Sequence, residues 1–392
     1  MSAQSFFKKV EKIALVSAAP ETIVAFMNSH LMALKDIYSV CVVCGGTTNI
    51  PGAKLVQNVR YVDLCIDRKI APFKDIISLF KLIHFFRSNK FTLVESITPK
   101  AGLLSMLAAW ICRVPIRVHV FTGQVWVTRS GFSRWYLKFF DRLIVAFATS
   151  VLADSPSQKK FLVDEGIASA QNIQVLGDGS ICGVDAARFK PDNDIKMMVR
   201  DKLGIPEDAV LALFLGRLKR DKGVLDLAQA FGAHSSGVDN LYLLFVGPDE
   251  DNLKAQILEL VACKRNYMRF LGSVSNPEDF LAAADFLCLP SYREGFGLVT
   301  IEAAAVGIPT LASRIYGITD AIVDGVTGIL HTPGDVDRIA EGMRTMTMFP
   351  EIRRSMGAAA HKRALEFFPT SRVVNAQLNY YQSLIHNYRS HA

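Results

Sequence analysis

A chain of 392 residues, half of them hydrophobic, is long enough for two ordinary domains that each bury a core, which excludes a disordered polymer. The net charge of +7 is unevenly held: residues 1–170 carry nearly twice as many Lys and Arg as Asp and Glu, and the remainder is slightly acidic. That asymmetry fits an anionic partner for the N-terminal half, either nucleic acid or an anionic membrane, or else a solvated basic surface.

The opening "MSAQSFFKKVEKIALVSAAP" puts Lys8, Lys9 and Lys12 ahead of a short strand-like run with no small-residue cleavage site, so secretion is not expected. The longest apolar stretch, "AGLLSMLAAWIC" (101–112), stops at Arg113, short of the roughly 20 residues that cross a bilayer. Seven scattered cysteines, mostly in apolar runs, suit free thiols in a reducing cytoplasm. Cys41 and Cys44 form a CxxC without a second pair, a poor zinc or redox site.

In chain order the predicted strands are "KIALVS", "YSVCVVC", "FTLVES", "IRVHVF", "TSVLAD" and "NIQVL". They continue after residue 200 with "VLALFLG", "LYLLFVG", "MRFLG", "FLCLP" and "PTLAS". Amphipathic helical stretches fall between them. Strands apolar throughout need cover on both faces, the pattern of parallel sheets wrapped by helices. The expected fold class is therefore α/β, two Rossmann-like domains facing across a cleft. The seam lies in the Gly, Asp and Pro-rich "GDGSICGVDAARFKPDNDIKMM", near Asp185 to Pro191, which gives domains 1–185 and 186–370. "TSRVVNAQLNYYQSLIHNY" reads as a long helix after Pro369. Ligands of such sheets bind beyond the carboxyl ends of the strands, so loops that follow strands are the candidate site.

Three loops have the composition for chemistry. In "SYREGFGLVTIEAAAVGIPT", Gly295 and Gly297 precede a helix whose N-terminus favours anions, and Phe296 between them is placed to wall a pocket. Glu294 and Glu302 flank that helix start; each carboxylate accepts two hydrogen bonds, which suits paired sugar hydroxyls. The bland alternative is that Glu302 supports the helix start and Glu294 is solvated. In "FLGRLKRDKGV", Gly216 ends a strand and Arg217 and Lys222 supply a fork and a point charge for a diphosphate, or form an exposed basic turn. They are the candidates for stabilising a departing diphosphate. In "RVHVFTGQVWVTRSGFSRWYLKFF", His119 is expected to look into the cleft beside Thr122 and Gly123, although a lone histidine on a strand is more often a satisfied structural residue. Trp126, Arg129, Arg134, Trp135 and Lys138 then interleave rings and cations, as a bilayer interface or as a core helix with a basic face. No metal site is expected: Asp192 and Asp194 read as a solvated loop.

"EGFGLVTIE" (294–302), a glutamate, seven residues and a second glutamate, resembles the signature of retaining glycosyltransferases of family 4, which have the GT-B fold. "GRLKRDKG" and "GVDAARFKP" are similar to that family's diphosphate motif and inter-domain segment. More narrowly, residues 119–167 with "GSICGVD" resemble bacterial enzymes that add an amino sugar to an undecaprenyl-diphosphate-linked saccharide, among them O-antigen and N-glycan transferases. The resemblance implies that Glu294 contacts the donor sugar, Glu302 the ribose, and Arg217 and Lys222 the diphosphate. Gly216 and Gly295 to Leu298 would line the donor site, and His119 would lie beside the sugar. Ala18, Ala19, Thr122 and Gly123 would face the acceptor. "SAAPET" (17–22) departs from the small-residue loop of many relatives, and Cys182 stands where Asn is common.

The implied enzyme is a metal-independent retaining hexosyltransferase with no cofactor. It would use a UDP-sugar donor, an N-acetylated amino sugar, and a polyprenyl-diphosphate-linked saccharide acceptor. It would lie cytoplasmic and peripheral on the inner face of the membrane, held through its basic half, with residues 371–392 packing back on the N-terminal domain. Its rivals are a GT-B type UDP-sugar epimerase and a non-catalytic lipid or sugar-nucleotide-binding partner. A glycosidase has no need of the basic loop, and no nucleic-acid reader motif is present.

Overall fold

The computed structural model describes residues 10–47, 55–67, 71–233 and 240–391, so Lys8 and Lys9 fall outside it. Among the described residues two parallel sheets divide the chain. The first holds β1 (Lys12–Val16), β2 (Ser39–Cys44), β3 (Arg60–Asp63), β4 (Leu93–Ile97), β5 (Ile116–Phe121), β6 (Ser150–Ala153) and β7 (Ile173–Val175), in the order β3-β2-β1-β4-β5-β6-β7. The second holds β8 (Val210–Leu215), β9 (Leu241–Val246), β10 (Met268–Leu271), β11 (Phe286–Leu289), β12 (Thr310–Ser313) and β13 (Gly328–His331), in the order β10-β9-β8-β11-β12-β13.

The strands are apolar because both of their faces are covered. Ile13 and Leu15 join one buried cluster while Ala14 and Val16 join another on the opposite face. The second sheet repeats this, with Leu211 and Leu213 on one side and Val210, Ala212 and Phe214 on the other. The same alternation disposes of the CxxC. Cys41 and Cys44 are three apart on β2 and belong to opposite clusters, and burial pushes their thiols up to about 11 and about 12.

Every predicted strand is present, and β3 and β13 are additions. Both are four-residue edge strands: "RYVD" has no fully buried residue, and "GILH" opens on a glycine. Neither carries the continuous apolar run that marks a central strand.

The terminal helix Thr370–His391 packs on the first sheet. Tyr381 donates to the buried Glu95 of β4 at 2.5 Å, Gln377 donates to the same carboxyl at 3.2 Å, and Tyr380 bonds Ser150 of β6. Burial raises Glu95 to about 7, against the pull of its Tyr381 and Gln377 bonds. The last element of the chain is thus tied to its first domain.

In each sheet the strand order reverses beside the first strand of the domain: between β1 and β4, and between β8 and β11. Ligands of doubly wound sheets bind at such switch points. The loops there are Ser17–Pro20 in the first domain, and Gly216–Gly223 with Pro290–Gly297 in the second.

Candidate functional site

The two loops of the second domain are locked together. Lys222 Nζ donates to Glu294 Oε1 at 2.6 Å, and Ser291 Oγ donates to the same oxygen at 2.8 Å. Arg293 Nη2 meets Asp221 Oδ2 at 2.7 Å, Tyr292 N–H donates to the Asp221 carbonyl at 2.9 Å, and Tyr292 Oη donates to Asp226 at 2.7 Å. Burial alone would raise Asp221, but its Arg293 bond and the charges of Arg293, Lys222 and Lys219 outweigh it and hold the carboxyl below its usual range. The loop carrying cations and the loop carrying Glu294 therefore keep a fixed spacing. Asp221, Asp226, Tyr292 and Arg293 escaped the sequence reading. The one available signal was the alternation of acid and base on both loops.

Gly297 adopts φ +76 and opens the helix Leu298–Val306. That left-handed start favours glycine, and the helix N-terminus it opens is a place for an anion, although Thr300 N–H already donates to the Gly297 carbonyl at 2.8 Å. Arg217 sits half-exposed at the mouth, 3.3 Å from Glu250, with Lys219 3.4 Å from the same carboxylate. Glu302, one turn inside the helix, lies on the linker side near Cys182 and Arg188. Burial raises Glu302 to about 7, with Arg188 opposing and Glu278 reinforcing. The two glutamates thus reach opposite sides of one helix start, Glu294 toward the basic loop and Glu302 toward the linker.

The first domain closes over this site. The Thr122 carbonyl lies 2.2 Å from where a Cβ on Gly295 would stand, so residue 295 can only be glycine in this closed arrangement. A Cβ on Gly123 would in turn stand 3.1 Å from the Gly295 amide nitrogen. Gln124 N–H donates to Tyr316 Oη, Tyr316 stacks on Phe161 at 4.5 Å, and Ser157 accepts from Gly317 N–H at 2.7 Å while bonding Asp320. Thr122 and Gly123 are therefore at the cleft. On the switch-point side, Ala18 N–H donates to Thr98 Oγ1 at 3.4 Å and Ala19 is buried.

Four expectations are corrected. His119 does not look into the cleft. It is buried between sheet and helix, bonded to Ser96 Oγ at 2.8 Å, its ring filling the space that Gly102 leaves in the helix Pro99–Ile111. Burial lowers it to about 3, so it is a neutral structural residue. Phe296 does not wall a pocket: it turns into the core, edge-on to Phe368 at 5.3 Å. Trp126 is not at the surface. It is buried, donates to Asp141 at 2.7 Å, and lies under Arg134 and Lys138, which both pair with Glu165. Only Arg129 and Trp135 of that group are exposed. Asp192, read as solvated loop, caps the helix Asn193–Leu203 by accepting from Ile195 N–H. Among the described residues no group of three His, Cys, Asp or Glu side chains is arranged to hold a metal, and no helix is long and apolar enough to cross a membrane.

Two parallel-sheet domains meeting at their switch points, with a terminal helix returning to the first, define the GT-B class of glycosyltransferase. The comparisons agree. The chain matches "Glycosyl transferases group 1" over residues 197–363 and "Glycosyl transferase 4-like domain" over residues 28–179. It is 32% identical to the capsular polysaccharide biosynthesis glycosyltransferase CapM of Staphylococcus aureus, over 76% of this chain and 78% of that one. Sucrose-phosphate synthase from Thermosynechococcus elongatus superposes with a TM-score of 0.81 at 20% identity, covering 96% of this chain and 100% of that one. HepE of Anabaena, solved in complex with UDP-glucose, superposes at 0.79 with 19% identity, covering 95% and 99%. The chain belongs to glycosyltransferase family 4 and is a hexosyltransferase.

Proposed function

We propose that the protein is a metal-independent, retaining glycosyltransferase. It moves an N-acetylated amino sugar from a UDP donor to a polyprenyl-diphosphate-linked saccharide during bacterial surface-polysaccharide or glycan assembly. The observation that carries this reading is the contact between Lys222 and Glu294 at 2.6 Å, set beside the Gly295–Gly297 helix start. A cation and a carboxylate held together beside a helix N-terminus support a site for a sugar diphosphate. In the proposed complex Arg217, Lys222 and the amides of residues 295–298 neutralise the diphosphate as the glycosidic bond breaks. Glu294 orients the donor sugar and Glu302 the ribose. The acceptor hydroxyl attacks from the face the diphosphate leaves, and the leaving phosphate takes its proton, so an α donor gives an α product. The likeness to CapM supports a polysaccharide pathway, and the UDP-glucose held by HepE supports a uridine donor.

A lipid-linked acceptor requires an enzyme that docks on a membrane. Phe132, Trp135 and Phe139 form an exposed stacked stripe on the helix Gly131–Phe147, and Phe73, Ile76, Ile77 and Phe80 form a second on Pro72–Asn89. Both helices pack against Pro99–Ile111, within the basic half of the chain. Exposed apolar stripes beside cations suit the headgroup region of an anionic bilayer, and we assign the cytoplasmic face of the membrane as the working surface.

The test is UDP release from a panel of UDP-sugars with short polyprenyl-diphosphate saccharides, in detergent and EDTA. Release from one donor that depends on acceptor, and that is lost in Glu294→Ala and Arg217→Ala, supports the reading. Isomerisation of a UDP-sugar without acceptor would replace it with an epimerase.

A further inference from the structure

Asp154 stands at the end of β6, facing the donor loop from the other domain. It is 5% exposed, and its Oδ2 lies 3.0 Å from the point where Gly295 would carry a Cβ. Its backbone is fixed at both ends: its N–H donates to Gln158 Oε1 at 2.6 Å, and its carbonyl accepts from Ser180 N–H at 2.6 Å. Its Oδ1 is buried with no hydrogen-bond partner among the described residues. Nearby, Gln124 is 1% exposed and its Nε2 is also buried without a partner.

The neighbours come from every element around it. The helix Pro156–Asp164 brings Gln158, the preceding residue Ser155 caps that helix, and the loop after β5 brings Thr122 and Gln124. The linker brings Gly179 and Cys182, the donor loop brings Gly295, and Glu302 lies beyond Cys182. These neighbours include one further acid, Glu302, and no cation. A carboxylate sealed in such a place, with one oxygen unpaired and no counter-charge, is costly to keep ionised. Burial raises Asp154 to about 8.

We propose that Asp154 is a positioning residue for glycosyl transfer: in its neutral form it is the surface on which Gly295 seats when the two domains close over the donor. The open cleft would hydrate Asp154 and return it to an ordinary carboxylate, so closing takes up a proton. The sign follows. Closure is fully supported below the ordinary carboxylate range and loses support as pH rises toward about 8. A group that must be neutral is replaced without loss by its uncharged isostere.

This proposal rests on the donor assignment above, but its first readout needs no substrate. The infrared difference spectrum of wild type minus Asp154→Asn is expected to show a protonated-carboxyl band at pH 7 that titrates away near pH 8. Should Asp154→Asn fail to fold, carbon-13 NMR of wild type with carboxyl-labelled aspartate reads the same titration. The second readout is turnover against pH with the donor found active. From pH 6 to 8.5 wild type is expected to lose up to about eightyfold in kcat/KM, Asp154→Asn to stay flat, and Asp154→Ala to be slow throughout. An Asp154 carboxylate already ionised at pH 7, or parallel pH profiles for wild type and Asp154→Asn, would overturn the proposal. If the titration appears and no donor is turned over, the donor assignment fails and the buried neutral acid stands.

Discussion

A methyl group on Gly295 is the most discriminating single change. The Thr122 carbonyl oxygen lies 2.2 Å from the position of that Cβ, and real Cβ atoms essentially never stand closer than 3.0 Å. One of the two domains must therefore withdraw by about 1 Å in Gly295→Ala, a displacement that costs on the order of a hundredfold in rate when it falls between reacting groups. The clash is between domains that can part, so it is relieved by opening the cleft and leaves each core intact. Gly295→Ala is expected to melt within a few degrees of wild type and to bind UDP with similar affinity, while kcat/KM falls about a hundredfold. Gly297→Ala makes the contrast: at φ +76 the strain lies inside the second domain, where it costs about 1–2 kcal/mol and lowers melting temperature and UDP affinity together. Calorimetric UDP titration, thermal melting and initial rates on the two variants separate these outcomes. A Gly295→Ala enzyme with wild-type kcat/KM would refute the claim that the closed cleft seen here is the working one.

Other outcomes follow from named contacts. His119→Asn should lower the melting temperature and leave the donor KM unchanged, because the ring fills the Gly102 gap and bonds Ser96; a KM rise of tenfold or more in a stably folded variant would restore it to the cleft. Glu95 is raised from 4.5 to about 7 by burial, so the folded state holds its proton more tightly and loses that support as pH climbs through this window. The stability gap between Glu95→Gln and wild type should therefore move in the variant's favour by up to about 3 kcal/mol between those pH values, measured by urea unfolding. Replacing Phe132, Trp135 and Phe139 together with Ser should cut sedimentation with anionic vesicles at least tenfold and spare activity on a detergent-dispersed acceptor. Unchanged sedimentation would move the docking face elsewhere.

How much of this was legible in the sequence depended on whether a feature was local. Central strands were visible because burial on both faces makes them continuously apolar, as in "VLALFLG"; β3 and β13 were not, because an edge strand needs no such run. The donor loops were legible as Gly, Glu and Arg or Lys runs after strands. The ties between them were not: Arg293 to Asp221 spans 72 positions, and nothing local marks it. His119 was misplaced because a strand apolar on both faces gives no clue to which way a polar residue points. The clue lay elsewhere, in a glycine within the helical "PKAGLLSMLAAWI" that marks a close approach. Trp126 was likewise taken for an interface ring, and Asp141, fifteen residues on, was its partner. Asp154 drew no notice at all: its neighbour Gly295 comes from the other domain, and nothing local marks that contact.

The most direct test of the whole account is the structure of the lipid product. The purified enzyme, its active UDP-sugar and a polyprenyl-diphosphate saccharide should yield a lipid heavier by one sugar residue, with the new linkage α by proton coupling and formed in EDTA at an undiminished rate. A β linkage would contradict retention from an α donor. Consumption of the UDP-sugar with no gain in lipid mass would contradict the transfer to a polyprenyl-linked acceptor itself.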